Sequence, residues 1–216
     1  MAYFWQTVNW FEVIRMAPSI ATAAAAIYGV QIARTGIDRW RREIIGKRKA
    51  ELAEDVLADF YQAREILNAA RSPMGYDSDG STRTPGEGES ADETKTLNMY
   101  FATIERLQRH QEFFAGMEAR KYRFWAYFGP AGLKCFDDFR RLHAEVVVAT
   151  RMLIRTYRVA KLHEQMEKPG MRQSIEKWEA KIWWDGTPED IISKPLDELV
   201  SRIEEICKPI IRDGSV

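Results

Sequence analysis

Four stretches of this chain repeat apolar residues three and four positions apart, the spacing that lines one face of an α-helix. In 36–71 the stripe is Ile37, Trp40, Ile44, Ile45, Leu52, Val56, Phe60, Ala63 and Leu67. In 96–128 it runs from Leu97, Tyr100 and Phe101 through Ile104, Leu107, Phe114 and Met117 to Phe124 and Phe128. In 131–166 it holds Leu133, Phe136, Phe139, His143, Val146, Leu153 and Tyr157. The last stretch has Ile175, Trp178 and Ile182, a break at "WDGTPED", then Ile191, Leu199, Ile203, Ile206 and Ile210. No segment alternates apolar and polar residues over a useful length, so the pattern predicts an all-α chain.

Punctuation divides these stretches. Gly129-Pro130 and Lys168-Pro169-Gly170 read as helix stops, because glycine ends a helix easily and the residue before proline avoids helical backbone angles. Thr187 before Pro188, with Asp190 three residues on, reads as a helix start, and Pro195 as a kink or restart one turn later. Residues 72–94, "SPMGYDSDGSTRTPGEGESADET", have almost no apolar groups to offset the entropy of ordering and are expected to form a mobile loop. Four helical stretches of similar length then predict an antiparallel up-down-up-down bundle, with paired long helical hairpins as the alternative. In that arrangement residue 71 faces about 95, which brings Phe128 level with Gly36 to Trp40. The expected division is a tail and membrane helix in 1–35, a bundle in 36–211 and a tail in 212–216.

A different pattern precedes the first amphipathic stretch. Met16 to Ala33 contains no charged residue, and the next sixteen positions hold seven basic ones: Arg34, Arg39, Arg41, Arg42, Lys47, Arg48 and Lys49. An apolar run that ends on a basic cluster, flanked by Trp5, Trp10, Phe11, Tyr28 and Trp40, has the marks of a single transmembrane helix. The positive side places the bundle in the cytoplasm and the N-terminus outside the cell membrane. Ser19, Thr22, Gln31 and the many alanines argue the other way, toward a buried helix of a soluble bundle. Glu12 and the lack of an early basic region argue against a cleaved secretory signal. Residues 4–14 put Phe4, Val8, Phe11 and Ile14 on one face, as a short interfacial helix would.

Composition changes little. Lysine and arginine number 32 against 32 acidic residues, so no net field draws the chain to nucleic acid. The basic side chains Arg140, Arg141, Arg151, Arg155, Arg158 and Lys161 are expected to pair with the acidic last segment. Cys135 and Cys207 lie in helical patterns with no motif around them and read as reduced core residues.

The chemistry is sparse. His110, His143 and His163 lack the glutamate three residues earlier that a bundle dimetal site uses. No phosphate-binding glycine motif or nucleophile elbow occurs. No catalytic, metal or cofactor residue is therefore assigned, and the chain reads as a binding or scaffold protein rather than an enzyme. A ligand sensor or enzyme with its site inside the bundle, and a soluble helical adaptor, are the alternatives. Two surfaces are singled out. Arg34, Arg39, Trp40, Arg41 and Arg42, with Lys121, Tyr122, Arg123, Trp125, Tyr127 and Phe128 at the Gly129-Pro130 turn, are expected to meet the lipid bilayer. Ala21, Ala25 and Gly29 recur every four residues, a small-residue face suited to self-association of the membrane helix. The expected partners are thus the bilayer, a second copy of the chain and a further protein.

Overall fold

The computed structural model describes residues 10–76, 78–162 and 168–213; the side chains of residues 10–15, 17, 19, 20, 162 and 213 lie outside the description. Among the described residues there are five helices and no strand: α1 (Trp10–Ala70), α2 (Ala91–Gln108), α3 (Gln111–Leu162), α4 (Pro169–Ile182) and α5 (Ser193–Asp213). The all-α class holds. The expected tail and interfacial segment up to residue 9, His163 and the last residues 214–216 lie outside the described residues. Two compact units divide the chain, Met1–Arg48 and Lys49–Val216.

The second unit is built on four antiparallel segments. Gly129 takes φ 73, a left-handed conformation that costs glycine little, and breaks α3 into two arms, 111–128 and 130–162. The arms fold back on each other: Lys121 Nζ lies 2.7 Å from Asp137, and Phe124 contacts Phe136 at 5.8 Å between ring centroids. The expected stop at Gly129-Pro130 is therefore a hairpin turn. One core joins α1, both arms and α5 through Val56, Phe60, Phe124, Phe136, Leu199 and Ile203, all essentially inaccessible. A smaller core joins α2, the second arm of α3 and α4 through Leu97, Tyr100, Leu153 and Ile182.

Three elements differ from expectation. The stretch 96–128 is interrupted at Arg109-His110, so two helices replace one. Phe128 sits level with Lys49, whose ammonium lies 5.0 Å from its ring, and not with Gly36 to Trp40. Arg120 pairs with Asp59 at 2.7 Å, and Arg106 donates to the Ser72 carbonyl at 2.7 Å, in the same register. The shift arises because residues 72–90 do not simply span a gap; they double back along α2. Finally, α5 begins at Ser193, not at Thr187. Asp190 Oδ1 accepts from the Ser193 and Ile192 amides at 2.7 and 3.0 Å and caps the helix there.

The segment 72–90 is held by polar contacts. The Arg83 guanidinium forks onto Glu89 at 2.9 and 2.6 Å and donates through Nε to Asn98 at 2.9 Å. Glu89 also receives Arg158 of the second α3 arm at 2.7 Å. Ser90 and Glu93 then form a reciprocal capping box that starts α2. The expectation of mobility rested on the absence of apolar residues, and the contacts that hold this segment are ionic.

In Met1–Arg48 the described side chains of α1 are exposed, apart from the half-buried Ile44. Among the described residues no helix is long and apolar enough to cross a membrane, so the structure does not support the expected span. Thr22, Tyr28 and Gln31 dilute the hydropathy of the run, and Ala17, Ser19 and Ile20 within it have side chains outside the description.

Candidate functional site

In the Lys49–Val216 unit a cavity of about 620 Å³ lies between α2 and the described residues of 72–79. Two arginines hold the segments around it: the fully buried Arg71, beside the cavity-lining Ser72, and the half-buried Arg106, which lines the cavity. Arg71, the C-terminal neighbour of α1, is 0% exposed. Its guanidinium forms a two-pronged pair with Asp190 at 2.7 and 2.8 Å and donates to the carbonyls of Lys181 and Trp183 at 2.8 and 3.0 Å. The Trp184 amide donates back to the Arg71 carbonyl at 2.8 Å. This node ties the ends of α1 and α4 to the start of α5 and fixes Trp183 at the cavity. Burial alone would raise the Asp190 carboxyl, but Arg71 and the two capping amides outweigh it and hold the group below the usual carboxylate range.

Arg106 of α2 lines the cavity itself. It donates to the Ser72 and Met74 carbonyls at 2.7 and 3.0 Å and to Asp79 at 2.7 Å, so it gathers the loop around itself. The Gly80 amide donates to the buried Glu105 carboxylate. Gly80 has φ 79, and a Cβ there would lie 1.9 Å from the Asn98 carbonyl oxygen, so only glycine allows this approach. Trp183 packs on Tyr100 at 5.7 Å, and the Tyr100 hydroxyl donates to Glu179 at 2.9 Å. Burial and that acceptor push the Tyr100 hydroxyl above its ordinary range, so it remains protonated and unreactive at neutral pH.

The surfaces singled out in the sequence are distributed as follows. Arg34, Arg39, Trp40, Arg41 and Arg42 are exposed on α1 in the first unit. At the Gly129 turn Tyr122, Arg123, Trp125 and Tyr127 are exposed, whereas Phe128 is half-buried and stacks on Phe124 at 4.1 Å. Lys121 is buried between Glu118 and Asp137, which raise its pKa, and is a structural ion pair rather than a surface cation. The aromatic cluster is thus divided between core and solvent. Ala21, Ala25 and Gly29 are exposed, and a Cβ added at Gly29 would meet nothing within 4 Å beyond its chain neighbours and its own helix backbone.

The basic residues of the second α3 arm pair mainly with acids other than those expected. Arg140 and Arg141 meet Asp137 and Asp138, Arg158 meets Glu89 and Lys161 reaches Glu93. His143 lies against Phe114 and Phe139, and burial lowers its pKa. Burial pushes the Cys135 thiol up and the Cys207 thiol up to about 12, so neither is a ready nucleophile. Among the described residues no group of three or more histidine, cysteine or acidic side chains could hold a metal ion. The chain matches no family model, no curated protein and no solved structure.

Proposed function

We propose that this protein is a membrane-anchored helical scaffold: α1 carries the anchor in its uncharged run, and the Lys49–Val216 bundle serves as a binding module on the cytoplasmic side. The observation that carries the reading is the exposure of large apolar groups on the first part of α1. Ile27, Tyr28 and Trp40 are 63%, 66% and 64% exposed, and six further positions from Arg34 to Arg48 are basic. A lone helix with apolar groups on all sides gains stability only when another apolar phase covers it.

The local chemistry suits lipid. The hydroxyl of Thr22 donates to the Pro18 carbonyl at 2.8 Å, so this polar group is satisfied inside its own helix. Eighteen uncharged residues rise about 27 Å, slightly short of the ~30 Å hydrocarbon core. Local thinning and the long side chains of Arg34 and Arg39 can close such a gap at modest cost. The basic segment beyond it would meet anionic head groups, each charge contributing about 1 kcal/mol near the surface. Support for the binding role of the bundle comes from what its described residues offer, a polar surface and a cavity of small-molecule size.

Alkaline carbonate extraction tests the anchor. The full chain is expected to stay with the membrane pellet, and its release into the supernatant overturns the proposal.

A further inference from the structure

The cavity between residues 72–79 and α2 carries chemistry that the anchoring role does not use. Its volume of about 620 Å³ is that of a small-molecule site. Trp183, Tyr76, Met99 and Ala102 contribute apolar surface to it. Of the three charged residues among the described lining, Arg106 and Asp79 neutralise each other at 2.7 Å. Lys95, exposed on the outer turn of α2, has no ion partner among the described residues.

A second observation is independent of that charge. Thr103 is 2% exposed and lines the cavity, yet its hydroxyl has no hydrogen-bond partner among the described residues. Among the described residues no fully sealed side-chain oxygen is left unpaired, so the Thr103 oxygen keeps some access, and Thr103 lines the cavity. A nearly buried hydroxyl that faces a cavity is satisfied by whatever fills that cavity.

We infer that this cavity binds a small amphiphilic anion, a planar apolar body bearing one carboxylate or comparable acidic group. The acid meets Lys95, the ring lies along Trp183 and Met99, and Thr103 supplies a hydrogen bond within. A dianion has only one uncompensated cation to meet among the described lining residues, and an uncharged polyol would leave the tryptophan and methionine surface unmatched. The site belongs wholly to the bundle and does not depend on the anchor.

Equilibrium dialysis of the full chain in nanodiscs, with 2-naphthoate as probe and 2-naphthamide as its uncharged counterpart, tests the inference against empty nanodiscs. Saturable binding of one naphthoate per chain is expected, with the amide weaker by about tenfold, the range of one charge-assisted contact. Lys95→Met should remove that preference while leaving the amide's affinity unchanged. Met99→Trp, at a position exposed enough to spare the fold, should fill the groove and abolish saturable binding of both. Circular dichroism verifies that each variant folds. Absence of saturable binding, equal binding by the Met99→Trp variant, or an acid preference that survives Lys95→Met would each overturn the inference.

Discussion

The two ends of α1 are made from similar amounts of apolar residue and put them to opposite uses. From Ala50 onward the helix turns Ala53, Val56, Phe60, Ala63 and Leu67 inward, each essentially inaccessible. Stepping back by threes and fours from Ala53 meets Lys49, Gly46, Arg42 and Arg39, so that stripe stops. Before Lys49, Ile27, Val30, Ile32, Ile37 and Trp40 are all more than half exposed, and Ile44 alone among the described side chains is half-buried. Helical spacing alone does not decide burial; a stripe is buried only where other elements stand in phase with it.

The largest expected effect within this comparison lies at the bundle end. Arg71→Ala leaves Asp190 buried without its counter-charge and removes the bonds that hold the α4–α5 connection. Loss of one partner of a buried pair costs about 3–5 kcal/mol, which chemical denaturation should read as a large fall in midpoint. Phe60→Ala, in the middle of the core, should cost a comparable ~3–5 kcal/mol through the cavity it leaves. The matched substitution Trp40→Ala, on the same helix, should change bundle stability by no more than about 0.5 kcal/mol. Equal losses at Phe60 and Trp40 would show that the first part of α1 is covered by the bundle.

A smaller effect concerns the ionic clamp on residues 72–90. Its Glu89 carboxyl is lowered to about 2, chiefly by the Arg83 guanidinium, with Arg158 assisting, from an ordinary 4.5. A depressed acid adds stability that is complete above the ordinary value and is lost as pH falls through the folded value. Acid titration between pH 5 and about 2 should therefore free the loop, seen as a fall in protection factors at Gly80 to Glu89 relative to the intrinsic exchange rate at each pH. Glu89→Gln should shift that exchange to its fast limit at neutral pH while α1 amides from 53 to 70 stay protected. Protection unchanged in this variant would mean that the clamp does not hold the loop.

Much of the bundle was legible because apolar spacing and helix-breaking residues are local signals. The Gly129-Pro130 turn, the Val56–Phe60–Ala63–Leu67 stripe and the place of His143 on the apolar stripe of its helix are all legible in the sequence. What stayed hidden was carried by charge. Arg71 looks like any polar residue at a helix end, and its partner Asp190 lies 119 positions away. Arg83, Glu89 and Arg158 likewise read as solvated charges until they are brought together. The register of Phe128 depended on how the loop folds, and the loop folds through those ion pairs. At the cavity, Thr103 and Lys95 sit in an ordinary amphipathic helix, and only the loop laid over them makes a site.

The contrast along α1 is tested most directly by residue-resolved hydrogen exchange of the full chain in anionic bilayers and in detergent-free buffer. The account predicts that amides of 53–70 are protected in both, because the bundle covers them. Amides of 21–33 should exchange rapidly in buffer and become protected by a factor of about a hundred or more in the bilayer, where water is excluded. Rapid exchange of 21–33 in the bilayer, beside protected 53–70, would contradict the anchor.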